Sequence, residues 1–271
     1  MFNRIQTYLE WLQRDPVDFL VYMAYTVVTI LVSLILHECA HGYVALRCGD
    51  PTAKMLGRLS LNPARHLDPI GTLCMFFMGF GWAKPVPVNP RNFSNYRRDD
   101  FLVSIAGIVV NLTLFIGCCF LSTVINRIMM GADSVNFMQG YFTTGVESYV
   151  SPYYMDGYNI MYGSLDEWSM GFLQYPWMLY IQRFLLLMAH VNLSLAIFNL
   201  LPFPPLDGFH IVNAIIFKGR LILDAQKFQI AHILLIIMVV SGFLDDLLFY
   251  SGEFVYTAVL KTFLMITGQG V

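Results

Sequence analysis

Two histidines four residues apart flank a glutamate in His37-Glu38-Cys39-Ala40-His41. On a helix, residues four apart share a face, so both imidazoles can reach one metal ion. Glu38, adjacent to His37, can touch a water on that metal. This is the spacing at which a zinc ion and a glutamate base hydrolyse peptide bonds. A catalytic zinc takes three protein ligands and keeps one position open. The third ligand must therefore be a buried His, Asp or Glu elsewhere. Asp207 is the first candidate, in the run Asn199-Leu-Leu-Pro-Phe-Pro-Pro-Leu-Asp207-Gly208. Pro202, Pro204 and Pro205 interrupt helix there, and Gly208 permits close approach. The other reading of Asp207 is an N-cap for a helix over Phe209–Phe217. From chemistry alone the two stand level. His210, His66 and Asp68 are further ligand candidates, whereas His190 and His232 read as packed or helix-contacting histidines.

These groups must be positioned by an unusually apolar chain. Of its 271 residues 57% are hydrophobic and 13% charged, and its mean hydropathy is +0.59. A soluble domain carries about a quarter charged residues. The net charge of −2 provides no basic field for phosphates, which excludes a nucleic-acid partner. The composition identifies an all-α polytopic membrane protein with the lipid bilayer as partner. Apolar stretches long enough to span occur over about 19–46, 101–126, 184–206 and 228–244. A fifth, 254–267, is short and carries Lys261, so it is either a span or an interfacial helix. Pro69–Ala83 is uncharged but short and glycine-containing, which reads as a re-entrant segment whose backbone protein or a watery cavity must satisfy. The His37–His41 cluster ends the first span. An ionisable group inside a membrane helix costs roughly 2.5–3.5 kcal/mol on insertion scales, so three in one turn imply a function; the bland alternative is a polar helix end solvated by water.

Charge sorts the connections. Arg47, Lys54, Arg58, Arg65, Lys84, Arg91, Arg97 and Arg98 crowd 47–100, and Lys218, Arg220 and Lys227 follow the third span. The 127–182 connection is acidic and rich in Tyr and Trp. The positive-inside rule then puts 47–100 and 207–227 in the cytosol and 127–182 outside, so the candidate site faces the cytosol. Five cysteines, an odd number in mostly apolar surroundings, form no disulfide or zinc-finger framework. The N-terminal stretch, broken by Glu10, Arg14 and Asp15, does not read as a signal peptide.

Taken together, these stretches resemble the site-2 proteases, the intramembrane zinc metalloproteases of peptidase family M50. The resemblance rests on His37-Glu-Cys-Ala-His41-Gly-Tyr-Val-Ala, Gly49-Asp-Pro-Thr-Ala-Lys, Gly57-Arg-Leu-Ser-Leu-Asn-Pro through His66-Leu-Asp-Pro-Ile-Gly71, Gly81-Trp-Ala-Lys-Pro-Val-Pro-Val-Asn-Pro90, and Asn199-Leu-Leu-Pro to Asp207-Gly208. It covers about residues 19–217 and matches the short bacterial and archaeal branch, without a PDZ-like insertion or a CBS domain. It implies that Asp207 is the third zinc ligand, with one zinc per chain, and that Glu38 is the catalytic base. It also implies a three-helix catalytic core, with one or two C-terminal helices beyond it, and a gap admitting water. The family often has Gly-Pro-x-x-Asn in its second core helix; here Gly107-Ile-Val-Val-Asn111 keeps the asparagine and lacks the proline.

The expected function is therefore a metalloendopeptidase of a bacterial or archaeal cell membrane, cutting transmembrane protein substrates in regulated intramembrane proteolysis. Asn111, Asn199 and His66 are candidates for holding substrate or the developing oxyanion, or else make local hydrogen bonds. Pro85–Pro90 fits an edge strand that holds an extended substrate, or a polyproline-like connector. Two other classes compete. A non-catalytic adaptor of the same fold would lack part of the site, and a metal transporter would carry ionisable residues along a path through the membrane.

Overall fold

Asp15 starts the first long helix. Its side chain accepts from the Asp18 N–H at 2.9 Å, and Pro16 follows at the first helical position, where its missing N–H costs nothing. The computed structural model describes residues 2–68, 71, 84–142, 173–221 and 223–268. Within them run α1 (Phe2–Arg14), α2 (Pro16–Arg47), α3 (Thr52–Met55), α4 (Tyr96–Phe142), α5 (Met178–Leu200), α6 (Asp207–Ile215), α7 (Ala225–Val240) and α8 (Phe243–Ile266). Single 3-10 turns occupy Pro63–Arg65 and Pro90–Asn92.

Among the described residues three helices are long and apolar enough to cross a membrane: α2, the Tyr96–Met129 part of α4, and α5. They pack on one another, with α8 against them, around Phe115, Cys119, Leu186, Ala189, Leu193 and Leu260. The distribution of polarity is that of a membrane bundle. Val28, Val109, Ile116, Phe120 and Ile181 are exposed, while Thr29, Ser33 and Asn192 are fully buried. Lipid gives apolar side chains no reason to turn inward, so van der Waals packing and polar contacts between helices do the joining. Asn192 of α5 donates to the Ser33 hydroxyl of α2 at 2.8 Å, and Ser33 donates to the Thr29 carbonyl at 2.7 Å. At the opposite end of α2 from His37, Arg183 of α5 makes a two-pronged bond to Asp18 (2.5 and 3.2 Å). The chain is an all-α polytopic membrane protein.

Several element boundaries differ from the sequence reading. Helix α4 runs on past Asn126 to Phe142, because 127–142 contains no proline to stop it. The supposed outer connection is therefore helical at 127–142 and again from Met178, and its 143–172 part lies outside the described residues. The expected span 228–244 is interrupted. Helix α7 ends at Val240, and Gly242, at φ +79°, turns the chain into the 24-residue α8. Sixteen residues of α7 rise about 24 Å, less than a ~30 Å hydrocarbon core. The 254–267 segment is thus the second half of a long helix rather than a short separate one. The re-entrant segment expected at 69–83 lies, Gly71 apart, outside the described residues.

No strand occurs among the described residues, so Pro85–Pro90 is extended connection and not an edge strand. Prolines at 85, 87 and 90 remove every donor that a ladder would need at those positions. The segment instead makes isolated bonds: Lys84 N–H to the His66 carbonyl at 2.8 Å, and Val86 N–H to Glu38.

Asp50 anchors this segment from its other end. Its fully buried carboxylate accepts from the Asn89 N–H (2.7 Å), the Asn92 amide (2.7 Å), the Thr52 N–H (3.1 Å) and the Thr52 hydroxyl. Burial opposes the charge, but these bonds outweigh it and hold the carboxyl below the usual carboxylate range. A depressed pKa contributes stability above the unfolded value, and that contribution is lost as pH falls through the folded one. Asp50→Asn should therefore destabilise the detergent-solubilised protein at pH 7 by about 1–3 kcal/mol. The gap to the unsubstituted protein should close as the pH drops below about 4. Thermal unfolding followed from pH 7 to pH 3 checks this; an equal gap at both ends contradicts it.

Candidate metal centre

His37 and His41 lie one turn apart on α2 and project from one face, their rings near-perpendicular with centroids 4.6 Å apart. Their Nε2 atoms approach to 3.0 Å. Asp207, first residue of α6, brings its Oδ2 to 3.3 Å from each. Among the described residues these are the one group of three side chains able to share a metal ion.

The outward nitrogens of the rings decide what the inward atoms are. His41 Nδ1 lies 2.7 Å from the Val103 carbonyl of α4, which can only accept, so Nδ1 carries the proton. A neutral His41 then has a bare lone pair at Nε2. That lone pair faces the Nε2 of His37 and, at 3.3 Å, the Oδ2 of Asp207. Three such atoms cannot lie this close in a largely buried place unless a proton or a metal ion sits among them. In the metal-free chain a proton serves. Burial alone would raise the Asp207 carboxyl, but hydrogen bonds from His37 and His41, and then their charge, pull it down to about 2. The separations also suit a metal. A tetrahedral ion about 2.0–2.2 Å from each donor sets them about 3.3–3.6 Å apart, close to the two 3.3 Å separations from Asp207.

Two close approaches make the cluster possible. A Cβ on Gly107 of α4 would sit 2.5 Å from His37 Cε1 and 2.6 Å from His41 Nε2. Only glycine lets α4 pass directly behind both rings. A Cβ on Gly208 would strike the Leu200 carbonyl at the end of α5, so Gly208 allows α6 to start against that helix end. Helix α6 is then fixed from α4: Arg97 Nε donates to the Ala214 carbonyl at 2.7 Å, and His210 Nδ1 lies 3.3 Å from Asp100. The Asp100 bond raises the His210 pKa above its ordinary value, against the effect of burial.

Glu38 points differently from its neighbours. Its Oε2 accepts from the Val86 N–H at 2.7 Å. Gly42, one turn on, has room for no Cβ: one would meet Leu59 Cδ2 at 2.8 Å and Val86 Cγ1 at 2.9 Å. The extended segment therefore lies flat on α2 beside the glutamate.

The structure brings His37, His41 and Asp207 together, with Glu38 adjacent on α2. Asn111 also reaches the cluster, its amide 3.2 Å from His37 Nδ1. Asn199 instead donates to the Leu195 carbonyl of its own helix at 2.9 Å. His66 is buried elsewhere, its Nε2 at 2.7 Å from the Ser60 carbonyl and 4.0 Å from Cys39 Sγ. Asp68 accepts from the Gly71 N–H, and His190 stacks on Tyr256. The Val103 carbonyl, Gly107 and the Val86 N–H were not foreseen as parts of the site. Val103, Gly107 and Asn111 recur at steps of four, a signal that α4 presents one face to the histidines.

Comparison with known proteins identifies the family. The profile of peptidase family M50 matches residues 25–242. A Bacillus subtilis (strain 168) protein named "Putative zinc metalloprotease YwhC" is 40% identical over 198 residues, 73% of this chain and 71% of that protein. The protein named "Putative zinc metalloprotease Rip2" of Mycobacterium tuberculosis (strain H37Rv) is 37% identical over 115 residues, 39% of this chain and 44% of its own length. Its namesake in Mycolicibacterium smegmatis is 30% identical over 114 residues, with the same coverage. No solved structure gives a significant match. With the profile matched over most of its length, the chain belongs to peptidase family M50, the site-2 protease family of metallopeptidases.

Proposed function

We propose that the chain is an intramembrane zinc metalloprotease that hydrolyses peptide bonds within or near transmembrane segments of other proteins. The observation that carries this reading is the convergence of His37 Nε2, His41 Nε2 and Asp207 Oδ2, with Glu38 on the same helix turn. The three side chains would hold one zinc ion per chain, and the relatives' names support that metal. Zinc bound there supplies a Lewis acid and a water acidified toward neutrality.

The remaining work falls to the chain. The Val86 N–H holds Glu38 Oε2, which leaves Oε1 to take the proton of the attacking water and return it to the departing amine. The helical bundle limits water around the imidazoles, so the charges that form are screened little. An apolar groove of about 590 Å³ opens along the same turn of α2, lined by Leu36, Cys39, Ala40, Val44, Val109 and Val110 among others. It suits the side chains of a membrane-embedded substrate. The basic residues at the His37–Arg47 end of α2 support a cytosolic site in a multi-pass cell-membrane protein. A complete set of ligands and base argues against an adaptor role. The concentration of these groups at one end of α2 argues against a transport path.

Purified Glu38→Gln protein should keep near-stoichiometric zinc and lose about 10²–10⁴-fold in cleavage of a labelled single-span substrate. Cleavage at the original rate would refute the role of Glu38. Asp207→Ala should release zinc to a competing chelator far more readily than the unsubstituted chain; equal retention would point to another third ligand. Membrane proteomes of cells carrying the active or the Glu38→Gln form, compared directly, would identify the accumulating substrate.

A further inference from the structure

His37 has an outward nitrogen whose partner is not a backbone carbonyl. On His41 the outward Nδ1 meets the Val103 carbonyl; on His37 it meets the side chain of Asn111, two turns further along α4. Asn111 is fully buried. In the orientation seen, its Nδ2 is 3.2 Å from His37 Nδ1 and its Oδ1 has no hydrogen-bond partner. That orientation matches a His37 protonated on Nε2. When Nε2 gives its lone pair to a cation, the proton must sit on Nδ1, and an amide N–H₂ facing it would set donor against donor. A half-turn about the amide's terminal bond exchanges its oxygen and nitrogen at almost no cost in shape. It brings the orphaned Oδ1 onto the Nδ1–H and removes both faults.

We propose that Asn111 is a positioning residue for the metal centre: its Oδ1 accepts from His37 Nδ1–H and so fixes the ring with Nε2 free for the ion. This replaces the substrate or oxyanion contact expected for Asn111, and it rests on the metal reading given above. Helix α4 then serves both ligands alike. Val103 orients His41, Asn111 orients His37, and Gly107, midway between, lets the helix stand close enough to do so. Partners of this kind typically change metal affinity 10–100-fold when removed. A substrate contact has no such effect.

The test is the zinc affinity of purified Asn111→Ala, Asn111→Leu and Asn111→Asp proteins, measured by chelator competition, with the thermal stability of each metal-free form alongside. Ala and Leu should bind zinc 10–100-fold more weakly while unfolding near the temperature of the unsubstituted apoprotein. Asp, which keeps an acceptor at the same place, should bind within a few-fold of the original. Equal affinity in all three variants would overturn the proposal. So would equal loss in all three, since a role in packing alone is not rescued by an acceptor. Failure of the unsubstituted protein to bind zinc at all would remove the metal reading itself, and the inference with it.

Discussion

Two imidazole nitrogens and a carboxylate oxygen directed at one another, in a place that helices shield from water, require a proton or a metal ion between them. Most of the structure can be traced to that requirement. Two of the three atoms come from one turn of α2, so local helix geometry alone places them. The third comes from α6, far along the chain, and must be delivered to the same depth as the two imidazoles. Helix α4 does the delivering: it backs both imidazoles through a glycine and grips α6 through Arg97 and Asp100. A few hydrogen bonds of defined geometry hold the arrangement alongside the close packing of the helices.

The membrane bundle and the site also use polarity in the same way. Asn192, Ser33 and Thr29 join α2 to α5 inside the bundle, and Arg183 pairs with Asp18 at its far end. In a soluble protein these groups would compete with water for partners. Here the alternative to each bond is an unsatisfied dipole among hydrocarbon or another polar partner within the bundle.

How far the sequence disclosed this depended on whether a feature is local. The His37–Glu38–His41 face follows from helix periodicity, and three of the four apolar stretches read as spans from the sequence are helices long and apolar enough to cross a membrane. Asp207 was visible as a candidate, but its choice over an N-cap needed either family resemblance or the 3.3 Å distances. In the structure it opens α6 and faces the histidines as well. The split at Gly242 was hidden because an apolar run of 17 residues does not reveal whether one glycine will turn left-handed. The end of α4 was hidden because polarity rises at 127 while nothing stops the helix. Pro85–Pro90 alternated like a strand, yet its prolines left too few donors for one. The contacts of Asn111, Val103 and Gly107 with α2 are long-range, and no spacing within a single helix says what its face will meet.

The attachment of Glu38 to Val86 separates the working parts of the site mechanically. Both imidazoles ride on the transmembrane bundle, whereas one carboxylate oxygen of the glutamate is leashed to an extended connector that Asp50 clamps at its other end. In the proposed mechanism, a pull on residues 84–92 would reach the glutamate through that bond without touching the three side chains proposed to seat the ion.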